Sequence, residues 1–222
     1  MIRDVDALVF DMDGTLVDSE HLTRVLVDDL LRDAGLPTDS VDDTELHGVT
    51  WAQIAATLLD RHPSLQGRCT PELLHRGWHA LWCGSPPVPV PGVVDALKAA
   101  KAAGLPLALA TSSNGESARS LLDREGFVDV FDAVVTADDI QRSKPDPEIF
   151  LLAAERLGIA PARTLVFEDS LAGLRGAKAA GMRSVAVLLR SAAPEQARDL
   201  SARAIVDYRD LEPGFFEALR SA

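Results

Sequence analysis

The sequence predicts an α/β protein, in which a doubly wound parallel sheet carries an inserted α-helical segment. Beyond residue 91, a unit of helix, glycine and short apolar strand recurs four times. This pattern is typical of parallel β/α units, whose strands are buried on both faces. Between the first predicted strand and residue 88, apolar residues recur at helical spacing and no strand is predicted. We therefore expect a core made of residues 1–18 and 88–222 and a helical insert made of residues 19–87.

The elements are predicted in order from apolar spacing and from the residues that stop a helix. The apolar run 5–10 is the first strand, and helices in the insert are expected over 20–34, 51–59 and 71–81, the last beginning after an N-cap at Thr70. The four helix–strand units are expected at 93–103 with 107–110, 116–125 with 133–136, 147–157 with 165–167, and 171–180 with 185–189. Residues 204–207 and 213–219 predict a final strand and helix.

Composition limits the classes of partner. The chain has 222 residues, 47% of them hydrophobic, so it can bury a substantial core. Its net charge of −12 disfavours nucleic acid and anionic membranes, which both require clustered cations. Two cysteines form no disulfide framework, and no apolar run approaches membrane-spanning length. We expect a cytoplasmic protein, and a monomer because no heptad pattern or large apolar stripe stands out.

The insert differs in composition from the rest of the chain. All five histidines, all three tryptophans and both cysteines lie between His21 and Cys83, whereas the segment contains no lysine. It ends in a proline-rich stretch, residues 84–91, that suits neither a helix nor a central strand. We predict hinges near residues 16–19 and 85–91.

Two aspartates follow the first predicted strand. Asp11 and Asp13 stand on either side of Met12, and Gly14 ends the strand abruptly. Ligands of open α/β sheets bind at the carboxyl ends of the strands, and two adjacent carboxylates favour a divalent cation between them. The alternative is that these residues form only a polar turn.

Polar residues also follow the other strands of the predicted sheet. They are Thr111, Ser112, Ser113 and Asn114 after the second strand, Lys144 after the third, and Glu168 and Asp169 after the fourth. Each group has a simpler interpretation as a helix cap or an exposed loop residue. Because parallel strands end at one edge, however, all of them should converge on Asp11 and Asp13, and this convergence favours a functional site.

The residue types suit phosphoryl transfer. A carboxylate can act as the nucleophile, a second acid can protonate the leaving oxygen, and Mg²⁺ prefers oxygen ligands. The transferred group also needs hydrogen-bond donors and a fixed cation, which Thr111, Ser112 and Lys144 can supply.

These residues resemble the four motifs of the haloacid dehalogenase superfamily of phosphotransferases. In order, they are Asp11-Met12-Asp13-Gly14-Thr15, then Thr111, then Lys144-Pro145, then Glu168-Asp169. The resemblance covers essentially the whole chain, and it is closest to the branch of β-phosphoglucomutase and small sugar-phosphate phosphatases. That branch has a helical cap where the insert lies here, and we refer to residues 19–87 as the cap below.

The resemblance implies a role for each matched residue. Asp11 would be the nucleophile and a Mg²⁺ ligand, and Asp13 the general acid/base with its carbonyl on the metal. Thr111 and Lys144 would hold the phosphoryl group, with Ser112, Ser113 and Asn114 nearby. Asp169 would bind Mg²⁺ directly, and Glu168 would bind it or support it. The cap would close over the site and select the substrate, a small phosphorylated metabolite.

Departures from the pattern favour a phosphatase. Asp13 stands where a dehalogenase lacks an acid, and the cap lacks the lysine that a phosphonoacetaldehyde hydrolase needs. Mutases usually carry a histidine where this chain has Thr23, and more basic residues in the loop that here contains His47 and Trp51. A phosphosugar mutase is the first alternative, and a non-catalytic protein that binds a phosphorylated metabolite is the second. Glu20, His47 and Trp51 are the candidate substrate contacts of the cap, and the identity of the ester stays open.

Overall fold

A computed structural model describes residues 2–84, 87–191 and 193–220, with the side chains of Glu20 and Cys83 outside the description. Six parallel strands form one sheet in the order β3-β2-β1-β4-β5-β6. The strands are β1 (Ala7–Phe10), β2 (Leu107–Ala110), β3 (Ala133–Val135), β4 (Thr164–Glu168), β5 (Arg183–Val187) and β6 (Arg203–Ile205). The central strand is β1, whose Leu8 pairs with Leu107 on one side and Leu165 on the other. The predicted doubly wound α/β fold is therefore confirmed.

Helices connect the strands and form the cap. The cap contains α1 (Glu20–Asp33), α2 (Trp51–Arg61) and α3 (Pro71–Gly84). The core contains α4 (Val93–Ala102), α5 (Gly115–Glu125), α6 (Glu148–Leu157), α7 (Leu171–Ala179), α8 (Pro194–Leu200) and α9 (Phe215–Leu219). None of these helices, within the described parts of the chain, has both the length and the apolarity needed to cross a membrane.

The predicted bounds differ from the structure at several elements. The sequence did not predict α8, because its seven residues are largely polar and bury only Ala197. The strand expected at 185–189 runs from Arg183 to Val187. Its first two residues are polar, so apolar spacing did not include them, but they pair with Leu165 and Val166 of β4. The first strand is shorter than expected and begins at Ala7.

The two faces of the sheet carry separate cores. Leu8 and Phe10 of β1 point into one core, where the ring of Phe10 stacks on Phe167 with centroids 4.7 Å apart. Val9 points into the other core, against Phe150 of α6. Alternate residues of a strand face opposite sides, so burial of all four β1 residues places the strand between two helical layers.

The cap has an apolar cluster of its own. Val27 and Leu31 of α1, Ile54 and Leu58 of α2, and Leu74 of α3 belong to one cluster of buried residues. Both connections to the core run side by side, because Val17 bridges Pro89 and the Asp18 amide donates to the Val88 carbonyl at 2.9 Å. The division at residues 18 and 88 stays a prediction.

Candidate active site

Four of the predicted residues form one buried cluster at the carboxyl edge of the sheet. Asp11 follows β1, Glu168 ends β4, and Asp169 comes directly after it. Lys144 reaches the same place from the loop that precedes α6. All four side chains are buried, and that of Lys144 is 0% exposed.

The Lys144 ammonium lies between two carboxylates. Its Nζ atom donates to Asp11 Oδ1 at 2.5 Å and to Glu168 Oε2 at 2.8 Å, and it lies 3.3 Å from the Ala110 carbonyl. Burial alone would lower the pKa of Lys144, but Asp11 and Glu168 outweigh it and raise that pKa. Lys144 therefore stays a cation inside the protein and can serve as a fixed charge for an anion.

Asp11 lies in an environment with excess negative charge. Burial, followed by the repulsion of Glu168, raises the pKa of Asp11 to about 8, although Lys144 opposes this shift. Burial likewise raises the pKa of Asp169 well above its ordinary value, with Glu168 and Asp11 adding to the effect. A single ammonium does not balance these carboxylates, so a further cation would favour their ionised forms.

The geometry of the carboxylates fits a divalent metal ion. Asp11, Glu168 and Asp169 each offer an oxygen atom, and these atoms lie within 4.8 Å of one another. Asp169 Oδ1 accepts from Thr15 Oγ1 at 3.1 Å, whereas its Oδ2 is buried with no hydrogen-bond partner among the described residues. Hard oxygen donors of this kind suit Mg²⁺. Asp169 is therefore the residue best placed to offer a free ligand atom.

Glu168 is more fully engaged than Asp169. Its Oε2 accepts from Lys144, and its Oε1 accepts from the Ser170 amide at 3.0 Å and the Ser170 hydroxyl at 2.7 Å. Gly173 permits this arrangement, because a Cβ atom there would lie 2.0 Å from the Glu168 carboxyl carbon. Glu168 thus positions Lys144. A metal bound to Glu168 would have to share a carboxylate oxygen that already accepts a hydrogen bond.

The Asp169 carboxylate provides a test of metal binding without any enzyme assay. Mg²⁺ should raise the melting temperature of the wild-type protein, and the rise should grow with the logarithm of the Mg²⁺ concentration above the dissociation constant, because Mg²⁺ binds the folded state alone. Most of this rise should be absent in Asp169→Asn when melting is followed by differential scanning calorimetry at increasing Mg²⁺ concentrations. Asp60→Asn removes an exposed carboxylate of the cap and should keep the full rise. An equal rise in both variants would contradict the assignment.

Asp13 lies beside the cluster rather than within it. Its Oδ1 accepts from the Ser19 hydroxyl at 2.6 Å and its Oδ2 from the Ser113 hydroxyl at 2.8 Å. Burial raises the pKa of Asp13, and the two hydroxyl groups reduce that shift. Its side chain is not among the three that could hold a metal in the described chain. Metal binding through the Asp13 carbonyl stays a prediction.

The residues after β2 have different environments. Thr111 is buried and its Oγ1 accepts from the Ser113 amide at 3.0 Å, while the Ser112 hydroxyl donates to the Gly48 carbonyl at 3.2 Å. Asn114 is the N-cap of α5, where its side chain accepts from the Ser117 amide at 2.9 Å. The capping interpretation thus describes Asn114, whereas Ser112 and Ser113 face the cavity between core and cap.

That cavity is small. Its volume is about 40 Å³, and it is lined by Asp11, Asp13, Thr23, Leu46, Gly48, Val49, Trp51, Ile54, Trp78, Ser112 and Ser113. Pockets for small ligands are usually several hundred Å³. A ligand of that size does not fit this cavity while the cap lies against the core as it does here.

The three candidate substrate contacts of the cap have different positions. Trp51 lines the cavity, and its ring also lies 5.9 Å from that of Trp78, so it packs within the cap as well. His47 is buried and outside the cavity lining, and burial lowers its pKa. Glu20 begins α1, and its side chain falls outside the described structure.

Several site residues escaped the sequence analysis as individual contacts. The Thr15 hydroxyl donates to Asp169, and the Ser19 hydroxyl donates to Asp13. The position of Thr15 within the first motif, and of Ser19 shortly after it, is the sequence feature that could have indicated these contacts. Gly48 adopts φ +70°, and a Cβ atom there would lie 2.0 Å from Ser170 Oγ. The close approach of this cap loop to the core depends on tertiary docking, for which no local pattern exists.

Comparisons with known proteins identify the family of the chain. A family model described as haloacid dehalogenase-like hydrolase matches residues 5–181. The chain is 34% identical over 178 residues to the validoxylamine A 7'-phosphate phosphatase of Streptomyces hygroscopicus subsp. limoneus, covering 78% of this chain and 81% of that protein. It is 35% identical over 187 residues to the fructose-1-phosphate phosphatase YqaB of Escherichia coli K12, covering 82% and 96%.

Solved structures share the fold. The β-phosphoglucomutase of Clostridium difficile superimposes with a TM-score of 0.77 over 94% of this chain and 93% of that chain, at 22% identity. At that identity the likeness concerns the fold alone. The family model and the two relatives show that the chain is an enzyme that belongs to the haloacid dehalogenase-like hydrolases.

Proposed function

We propose that the protein is a Mg²⁺-dependent phosphatase that hydrolyses a small phosphorylated metabolite through an aspartyl-phosphate on Asp11. The observation that carries the proposal is the pair of carboxylates at the end of β1, with Lys144 2.5 Å from Asp11 and Asp13 held by two hydroxyl groups. Relatives named as phosphatases of phosphorylated compounds support it. A sugar phosphate is the substrate class that the name of YqaB suggests.

The first half of the reaction forms the covalent intermediate. A carboxylate oxygen of Asp11 attacks the phosphorus atom, and the bond between phosphorus and the ester oxygen breaks. Asp13, protonated at the start, gives its proton to the departing oxygen. Burial raises the pKa of Asp13, which favours the protonated form that this step requires. Lys144 would balance the charge of the phosphoryl group, and Thr111 and Ser112 would donate hydrogen bonds to it.

The second half releases phosphate. Water attacks the phosphorus atom of the aspartyl-phosphate, the Asp13 carboxylate accepts a proton from that water, and the bond to Asp11 breaks. Both residues thus return to their starting forms. Mg²⁺, held by Asp11, Asp169 and the Asp13 carbonyl with Glu168 in support, would supply a positive charge beside the phosphoryl oxygens.

The cap, residues 19–87, would act as a domain that opens for the substrate and closes for the reaction. The 40 Å³ cavity and the adjacent connections at Val17 and Pro89 support this role. Closure would exclude bulk water from the first step. A cytoplasmic location and a monomeric state stay predictions.

The lining of the cavity favours a phosphatase over a mutase. Among the described residues, no lysine or arginine lines it, and its cap side is mainly apolar, with Leu46, Val49, Trp51, Ile54 and Trp78. A mutase must hold a second phosphate group, which requires fixed positive charge or several donors. The cap offers Thr23 as its polar side chain at this surface.

The proposal is tested by phosphate release from a panel of sugar phosphates and short phosphorylated acids, with Mg²⁺ and with a chelator. Release is expected with Mg²⁺ and should fall to background after chelation. Conversion of one sugar-phosphate isomer into another without release would instead support the mutase. Binding by calorimetry without turnover of any compound would support the non-catalytic alternative.

Gly48 allows a direct test of cap closure. A methyl group in Gly48→Ala would clash with Ser170 at the closed interface, so kcat/KM should fall by about tenfold or more. Gly67→Ala is the matched control, because Gly67 also lies in the cap with φ +79° but has no atom within 4 Å of the added Cβ. Both variants should lose about 1–2 kcal/mol of stability from the left-handed backbone. Equal kcat/KM in the two variants would contradict a role for this contact in closure.

A further inference from the structure

Gln53, in the first turn of α2, contacts two parts of the protein at once. Its Oε1 accepts from the backbone N–H of Thr50 at 2.9 Å, while the backbone N–H of Gln53 donates to Thr50 Oγ1 at 3.4 Å. The two residues therefore form a capping box. Its Nε2 donates to the backbone carbonyl of Lys144 at 3.2 Å. The side chain therefore joins the cap to the loop that carries the buried cation of the site.

The Lys144 loop is also held by hydrogen bonds on the core side. On the core side, the Gln141 and Arg142 amides both donate to Glu148 at 3.0 Å, and the Asp146 amide donates to the Ser143 carbonyl at 3.0 Å. Between this loop and α2 lies a cleft of about 310 Å³, lined in part by Gln53, Gln141 and Ser143. The Gln53 side chain lies at the edge of this cleft, where it reaches the Lys144 carbonyl.

The position of the Lys144 backbone sets the reach of its ammonium. The side chain is fully buried, and its Nζ touches Asp11 and Glu168 at the far end. A shift of the loop would therefore move the charge relative to Asp11, and small displacements of this kind are costly in catalysis.

We propose that Gln53 is a positioning residue, which fixes the Lys144 loop in its reactive place when the cap closes. Cap closure and placement of the catalytic cation are thereby coupled through one hydrogen bond. The catalytic part of this inference rests on the proposed phosphatase function, whereas the tie between α2 and the loop does not.

Two roles of Gln53, helix capping and support of the loop, are separated by Gln53→Glu. Glutamate keeps an acceptor for the Thr50 amide and so preserves the capping box, but its carboxylate cannot donate to the Lys144 carbonyl. Thr50→Ala is the complementary control, because it removes the capping hydroxyl and leaves the Gln53 amide in place. Gln53→Ala removes both interactions.

Steady-state kinetics with p-nitrophenyl phosphate and hydrogen exchange of the metal-free protein test the proposal together. In Gln53→Glu, kcat should fall about fivefold to tenfold, with KM changed less than about twofold and the melting temperature unchanged. Amides of residues 141–146 should exchange about fivefold faster, while those of α2 keep their protection. Thr50→Ala should melt about 2–4 °C lower and keep the wild-type kcat.

The outcomes distinguish this inference from the proposed function. Wild-type kcat or unchanged exchange at residues 141–146 in Gln53→Glu would overturn the role of Gln53 and leave the phosphatase intact. Equal loss of kcat in Thr50→Ala and Gln53→Glu would also overturn it, because capping alone would then explain both. If the wild-type protein released no phosphate from any compound, the proposed function would fail, and faster exchange in Gln53→Glu would still support the tie.

Discussion

Replacing Asp11 with asparagine is expected to lower phosphate release by a factor of about 10⁴ or more, since the variant lacks the nucleophile of the proposed reaction. The amide is almost the same size as the carboxylate and can still contact Lys144. The loss should therefore appear in kcat, measured as phosphate release at saturating substrate and Mg²⁺.

The stability of the same variant gives an independent expectation. Asp11 repels Glu168, and its ionised form is disfavoured by burial. A carboxyl whose pKa is raised on folding lowers stability at neutral pH, so without Mg²⁺ Asp11→Asn should melt at or above the wild-type temperature. Asp138→Asn is the matched control for turnover, because it makes the same change at an exposed carboxylate after β3. Substantial turnover by Asp11→Asn would exclude Asp11 as the nucleophile.

Replacing Lys144 with methionine should produce the largest loss of stability in the site, together with loss of turnover. The change would leave Asp11 and Glu168 buried without their shared cation. Removal of one partner from a buried ion pair costs about 3–5 kcal/mol. For a chain of this size, the melting temperature should fall by about 10 °C in a thermal scan.

Two further variants separate charge from packing. Lys101→Met removes a lysine whose ion pair with Asp132 is exposed, so it should change stability by less than about 1 kcal/mol. In Lys144→Met with Glu168→Gln, one of the uncompensated charges is gone, and part of the lost melting temperature should return while turnover stays absent. A wild-type melting temperature for Lys144→Met would show that the buried pairs contribute little.

Local patterns were sufficient to predict, to within about one residue, the ends of the strands that precede the site residues. Asp11, Lys144 and Asp169 meet at one edge because apolar strands, glycine stops and parallel topology together determine that edge. The same reasoning could not distinguish Asn114, which caps α5, from Ser113, which bonds to Asp13. Neighbouring residues of a loop point in different directions, and a loop has no regular sequence period from which those directions could be predicted.

Contacts between the cap and the core were beyond local prediction. Gly48 lies against Ser170, more than a hundred residues further along the chain, and Gln53 bonds to Lys144, which is 91 residues away. Such contacts depend on how two separately packed layers dock. The short, largely polar α8 and the polar start of β5 likewise carry no apolar spacing from which either could be predicted.

The central place of β1 in the sheet also constrains how the molecule folds. Its neighbours β2 and β4 follow it in the chain by about a hundred residues and more, whereas the helices of the cap find their partners within one continuous segment. Contacts near in sequence form faster, since they close shorter loops. We therefore expect the cap to fold before the sheet is complete. The native bridge between Val17 and Pro89 would then hold β1 close to the point where the chain leaves the cap.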